Sequence, residues 1–298
     1  MMKSKQSLRN SAKRGLLLSL VFSFSLILGC FSPPDAPTYS REDIGQATQN
    51  ICKKEYNIEL KARLAGSTLW VYLPLENIFV KPDKPEKYSE KFKIEHNEEE
   101  IKDGQIIIQY SVKAVPEQEK YQELKFDQAV ADKVGNVWKT IRRVLFSMKD
   151  PNKEGVEFIC LVIADIKNGI EIEEIVYERD LKKVSYDFIS GSEYQHRSTQ
   201  EIRMSPETVG DKNGQHLKYR GITMEEFVTL QIQHRIRLKF EKPEVEKNAD
   251  IDKEILKLIV YTLKTYGFKN FSYLELNNLL TKNKVILNNT AVWSKSID

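Results

Sequence analysis

The chain has three cysteines and four histidines in 298 residues, and it lacks a glycine-rich phosphate loop. Each shortage excludes something. His96, His196, His216 and His234 stand singly, none at ligand spacing with another histidine or a cysteine, so a zinc site has no framework and no metal is expected. The glycines form neither a dinucleotide nor a P-loop pattern, since Ala65-Gly66-Ser67-Thr68 reads as a turn; no cofactor is expected. A long apolar span is missing too. Leu16 to Leu28 reaches about 20 Å as a helix, against a hydrocarbon core of about 30 Å.

Charge of one sign is also scarce, with 46 basic against 43 acidic side chains. Five of the basic ones (Lys3, Lys5, Arg9, Lys13 and Arg14) precede Leu16, so the remainder is slightly acidic. That leaves no single-sign field to bind phosphates, and no nucleic-acid partner is expected.

The N-terminus shows a basic zone, the apolar zone Leu16–Leu28, then Gly29-Cys30, which is the layout of a secretory signal peptide. Ile27-Leu28-Gly29-Cys30 resembles the lipobox of bacterial lipoproteins. The resemblance covers only the first 30 residues. It implies removal of residues 1–29, acylation of Cys30 and stable anchoring, because two or more acyl chains hold a protein on a bilayer. Residues 30–40, with Pro33, Pro34 and Pro37, then form an extended tether of about 30 Å at roughly 3.1 Å per residue. Phe31 is not the aspartate that retains many such proteins in the inner membrane, which implies the outer membrane where a host has two.

The remaining chain of about 270 residues is long enough for one large or two small cores. Besides Cys30 it holds Cys52 and Cys160, which an extracytoplasmic compartment would permit to pair; two buried free thiols are the alternative.

Periodicity then gives an α+β class, in which helix-plus-β-hairpin units form antiparallel sheets covered by helices. A helix from Arg41 to Lys54, with Ser40 as its cap, precedes alternating strands about a turn at Gly66-Ser67. A second helix, from Phe126 to Met148, precedes an apolar central strand, Asn168-Gly169 and the run Ile170-Glu171-Ile172-Glu173-Glu174, which suggests one wet face. A third, from Asp250 to Tyr266, precedes two strands about Thr281-Lys282-Asn283. The charged stretch before Gln105 reads as an insertion or long hairpin. The resulting division is an α+β domain over residues 41–189, a polar loop or boundary over 190–222, and a C-terminal helical and hairpin region over 223–298. One segment carries two signals. Thr223 to Glu226 has the spacing of a capping box, which predicts a helix, while Val228, Leu230, Ile232, Ile236, Leu238 and Phe240 alternate as a strand would.

For chemistry the sequence offers Ser190 and Ser192 near His196, without a G-x-S-x-G elbow or S-x-x-K motif around them, and an unordered abundance of carboxylates. The run from His96 to Glu100 reads as a solvated charge cluster. Trp70 and Tyr72 share one face of the first hairpin: exposed, they form a contact surface; covered, they are core. These features suggest a membrane-anchored envelope lipoprotein with a non-catalytic binding or assembly role and an envelope protein as partner. The alternatives are an anchored hydrolase of cell-wall, glycan or lipid substrates, which needs two carboxylates or a Ser-His pair in a cleft, and a carrier of an apolar ligand.

Overall fold

A computed structural model describes residues 38–81, 86–87, 92–114, 121–122, 124–149, 155–241 and 250–295. The expected signal segment, Cys30 and its tether as far as Pro37 lie outside the described residues. From Tyr39 onward the chain forms one compact unit.

Helix α1 (Ile44–Tyr56) begins later than a Ser40 cap would place it, because the Ser40 hydroxyl bonds the Asp43 carboxylate at 2.7 Å instead. It leads into the hairpin β1 (Lys61–Ala65) and β2 (Thr68–Leu75), turned at Gly66-Ser67. The chain next makes one long nested hairpin. Strands β3 (Phe79–Val80), β4 (Glu86–Lys87) and β5 (Phe92–Lys102) run out, and β6 (Gln105–Ala114), β7 (Tyr121–Gln122) and β8 (Lys125–Phe126) return beside them. Its tip, Asp103-Gly104, has both residues at positive φ, 49° and 75°, as a type I′ turn requires. The charged run from His96 lies in β5, where the register slips between His96 and Glu99.

Helix α2 (Gln128–Phe146) is capped by Asp127, whose carboxylate accepts from the Val130 N–H at 3.1 Å. Strands β9 (Phe158–Asp165) and β10 (Ile170–Tyr177) follow, joined by a loop in which Asp165 accepts from the backbones of Lys167 and Asn168 and Gly169 takes φ 67°. Helices α3 (Glu178–Ser185) and α4 (Gly191–Arg197), strand β11 (Thr199–Met204) and a 3-10 turn at Pro206–Thr208 come next. Helices α5 (Met224–Glu241) and α6 (Ile251–Tyr266), strands β12 (Tyr273–Asn278) and β13 (Lys284–Asn288), and helix α7 (Asn289–Ser294) complete the fold.

The class is α+β, with helices packed on two main sheets ordered β1-β2-β9-β10-β11 and β13-β12-β6-β5. The sheets are mixed, not antiparallel throughout: β2 runs parallel to β9, and β6 parallel to β12. The reason is the crossover. The path from β2 to its neighbour β9 returns through α2, and a returning helix delivers a parallel strand.

On one face of the first sheet α1 and α2 bury Leu69, Val71, Leu73, Ile159, Leu161 and Ile163. On the other, residues from Leu217 to Leu230 cover Trp70, Tyr72, Phe158, Cys160 and Val162. Strand β9 is buried at all eight positions, as its two-sided apolar sequence predicts. The second sheet packs Ile106, Ile108, Leu274 and Leu276 under α5 and α6.

Helix wins over strand in the ambiguous segment because the capping box forms. The Glu226 N–H donates to the Thr223 hydroxyl at 3.2 Å, and the Glu226 carboxylate accepts from the Thr223 N–H at 3.0 Å. The alternation has a packing cause: Val228, Ile232, Ile236 and Phe240 face the second core at four-residue spacing, while Phe227 and Leu230 face the first sheet. Residues 190–222, expected to be a polar loop, carry α4, β11 and the 3-10 turn; their polarity is that of an edge strand and short surface helices.

Two alternatives left open by the sequence are decided, each against the pairing or exposed form. Cys52 and Cys160 form no disulfide: both are free and buried, Cys52 on α1 in the core of one sheet face and Cys160 on β9 in the core of the other. Trp70 and Tyr72 are not an exposed contact surface, being 7% and 0% exposed. The Trp70 indole donates to the Arg220 carbonyl at 2.7 Å, and the Tyr72 hydroxyl to that of Asp211 at 2.6 Å.

Candidate functional site

The densest polar cluster forms where the segment 205–217 folds over the Tyr72 face of the first sheet. Glu171 projects from β10 onto that face and is 0% exposed, so the expected wet face is covered here. Its carboxylate accepts from Arg203 on β11 at 3.0 and 3.1 Å, from the Thr208 hydroxyl and from the His216 ring. The other His216 nitrogen, Nδ1, lies 2.6 Å from Asp211, whose carboxylate also accepts from the backbone N–H groups of Asn213 and His216. Two local features hold the loop. Gly214 takes φ 67° and packs so close to Tyr72 that an added Cβ would lie 2.9 Å from its ring, and the His216 ring meets Tyr72 edge-on at 5.7 Å.

Electrostatics follow from this geometry. Burial opposes charge on Glu171, but bonds from Thr208, His216 and Arg203 outweigh it and hold the carboxyl below its usual range. For Asp211 burial is likewise outweighed, by the His216 ring and backbone N–H groups, and its pKa falls to about 2. Burial opposes the charged His216 ring, yet the bonds to Asp211 and Glu171 raise its pKa. The cluster is an imidazolium clasped between two carboxylates. With both ring nitrogens so held, His216 has none to offer a nucleophile, and the arrangement ties a loop to a sheet instead of activating a substrate. A cleft of about 460 Å³ beside it is lined by Trp70, Glu173, Arg203, His216 and Lys218.

A second network joins α3 and α4 to α5. Arg197 bonds Asp180 at 2.9 Å and Glu193 at 2.7 Å, and Arg235, stacked over the Tyr261 ring, lies 3.4 Å from Glu193. Lys183 joins Asp180 at 3.4 Å, so two guanidinium groups and an ammonium share two carboxylates. On the opposite face of β10 from Glu171, burial pushes Glu174 up to about 7, and a bond from the Trp138 indole at 3.1 Å offsets part of the rise.

Of the residues singled out in the sequence, His216, Tyr72 and Trp70 meet at this cluster and its cleft, while Ser190, Ser192 and His234 lie elsewhere. The Ser190 hydroxyl caps α4 by accepting from the Glu193 N–H at 3.1 Å and lies 3.0 Å from Ser192. His234 is buried in α5, which lowers its pKa to about 4. Among the described residues no group of three histidine, cysteine or acidic side chains is placed to hold a metal ion. A groove of about 780 Å³ near α1 is lined by Lys53, Lys61, Lys133 and Lys212, with Glu59 and Glu76. Among the described residues no helix is long and apolar enough to cross a membrane. No family model matches the chain, and neither a curated protein nor a solved structure resembles it significantly.

Proposed function

We propose that this protein is a lipid-anchored component of a bacterial cell envelope, held on the membrane through acylated Cys30 and acting as a binding or assembly module, not as a catalyst. The observation that carries the reading is the sequence Ile27-Leu28-Gly29-Cys30 at the end of a basic then apolar leader too short for a comfortable span. The proline-bearing residues that follow give the body a short reach from the bilayer, in the outer membrane of a host that has two. An envelope protein is the partner class, because near-neutral charge gives no pull toward nucleic acid. Support for the non-catalytic part comes from the polar residues themselves, since His216 is bonded at both nitrogens and the Ser190 hydroxyl caps a helix.

The test is metabolic labelling with an alkyne fatty acid, followed by membrane fractionation of wild-type protein and Cys30→Ser. Label and membrane association in the wild type, both lost in the variant, are the expected result. A Cys30→Ser protein that still fractionates as cleaved, membrane-bound material overturns the anchor.

A further inference from the structure

The first sheet ends in β11, and the outer edge of that strand turns backbone groups away from β10, of which the Gln200 carbonyl already accepts from the Arg237 guanidinium. β11 meets β10 without a bulge, from Ile170 opposite Met204 to Ile175 opposite Thr199. The Ser205 N–H donates to the Gly169 carbonyl at 2.8 Å in the same register, and this fixes the parity of the ladder. Because hydrogen-bonded pairs alternate, Thr199, Glu201 and Arg203 turn their backbone groups toward β10, and Gln200, Ile202 and Met204 turn theirs outward. The bond from the Arg237 guanidinium to the Gln200 carbonyl agrees, since it reaches a group that points away from β10.

Edge strands are ordinarily guarded by lysines, prolines or bulges. The opposite edge, β1, carries Lys61 and Arg63. β11 instead exposes Ile202 by 58% and Met204 by 71%.

We propose that β11 pairs with β11 of a second copy of this chain, antiparallel about a two-fold axis through Ile202, joining two sheets into one. Charge selects that register. Centred on Ile202, each Glu201 faces an Arg203 of the other copy, and Ile202 meets Ile202. Centred on Glu201 or Arg203, the same outward groups still pair, but like charges stand opposite each other, which destabilises a sheet. Gln200 lies opposite Met204 at either end, so Ile202 meets Ile202 on one face and the Glu201–Arg203 pairs form on the other, where the part-exposed Arg203 also keeps its bonds to Glu171. The inference gives the assembly reading above a first partner, this chain itself.

The test uses the full-length chain with Ile202→Cys. Hydrogen-bonded antiparallel neighbours have Cα atoms about 5.5 Å apart, within the disulfide range of about 4.4–6.8 Å. Mild oxidation should give a reducible species at twice the chain mass on a non-reducing gel, and Ile286→Cys, similarly exposed on β13, should give several-fold less. Adding Glu201→Arg, which sets two arginines opposite each other, should lower the linked fraction several-fold. Ile202→Cys linking no more than Ile286→Cys, or linking that ignores Glu201→Arg, overturns the pairing. The gel separates this idea from the anchor. Linked dimer in the soluble fraction keeps the pairing and refutes anchoring, whereas unlinked Ile202→Cys in the membrane fraction does the reverse.

Discussion

His216 shows how one side chain can be charged, buried and non-catalytic together. Its folded pKa is raised, so its contribution to stability is full below the unfolded value of about 6.5 and is lost as pH rises through the folded value. Asp211 and Glu171 have lowered values, so their contributions are full above about 4.3 and fade as pH falls through their folded values, near 2 for Asp211. All three contribute fully from about pH 4.5 to 6.5. Urea unfolding at pH 5.5 and pH 8.5 should show wild type losing more stability than His216→Gln over that interval, because the raised His216 pKa makes its bonds to Asp211 and Glu171 weaken as the ring deprotonates. Parallel losses in the two proteins would refute the clasp. The cluster was not legible in the sequence. Glu171 and His216 are far apart in the chain, and Glu171 sits in an alternation that reads as a wet face; nothing within β10 announces that residues 205–217 will cover it.

At the scale of elements the sequence was more readable, because the signals are local. Gly66 turns the first hairpin at positive φ, and Asn168-Gly169 does mark a hairpin, though as the end of a four-residue loop in which only the glycine takes positive φ. Helix α5 is the instructive case. Its strand-like alternation comes from two apolar faces packing on two cores, and the capping box at Thr223 was the better guide. Thr223→Ala should cost about 1 kcal/mol. In a chain of this size that lowers the melting temperature by about 2–4 °C, while Thr223→Ser leaves it unchanged. An unaffected melt in Thr223→Ala would show that tertiary packing alone sets the start of α5. The mixed strand order was hidden for the opposite reason, since which hairpin lies beside which is decided by contacts across the whole chain.

For the molecule as a whole, α5 is a shared wall. Phe227 touches the Phe158, Tyr177 and Tyr266 rings at centroid distances of 5.1, 5.8 and 5.2 Å, and two turns further on Ile236 is buried in the second core. The two cores should therefore melt as one. Ile236→Ala, a loss of about 2–5 kcal/mol, is expected to accelerate amide exchange in β9 as much as in β12. Acceleration confined to β12 would mean that the halves unfold separately.

The parallel pairing of β6 with β12 also sets a timetable. A nascent chain can close the β5–β6 hairpin early, but the strand that flanks it and the helices that roof it come from the last part of the sequence. Until those residues are made, Ile106, Ile108 and Tyr110 have no cover. Consolidation of this half waits on chain completion, and during that wait a holding chaperone would find its target on β6.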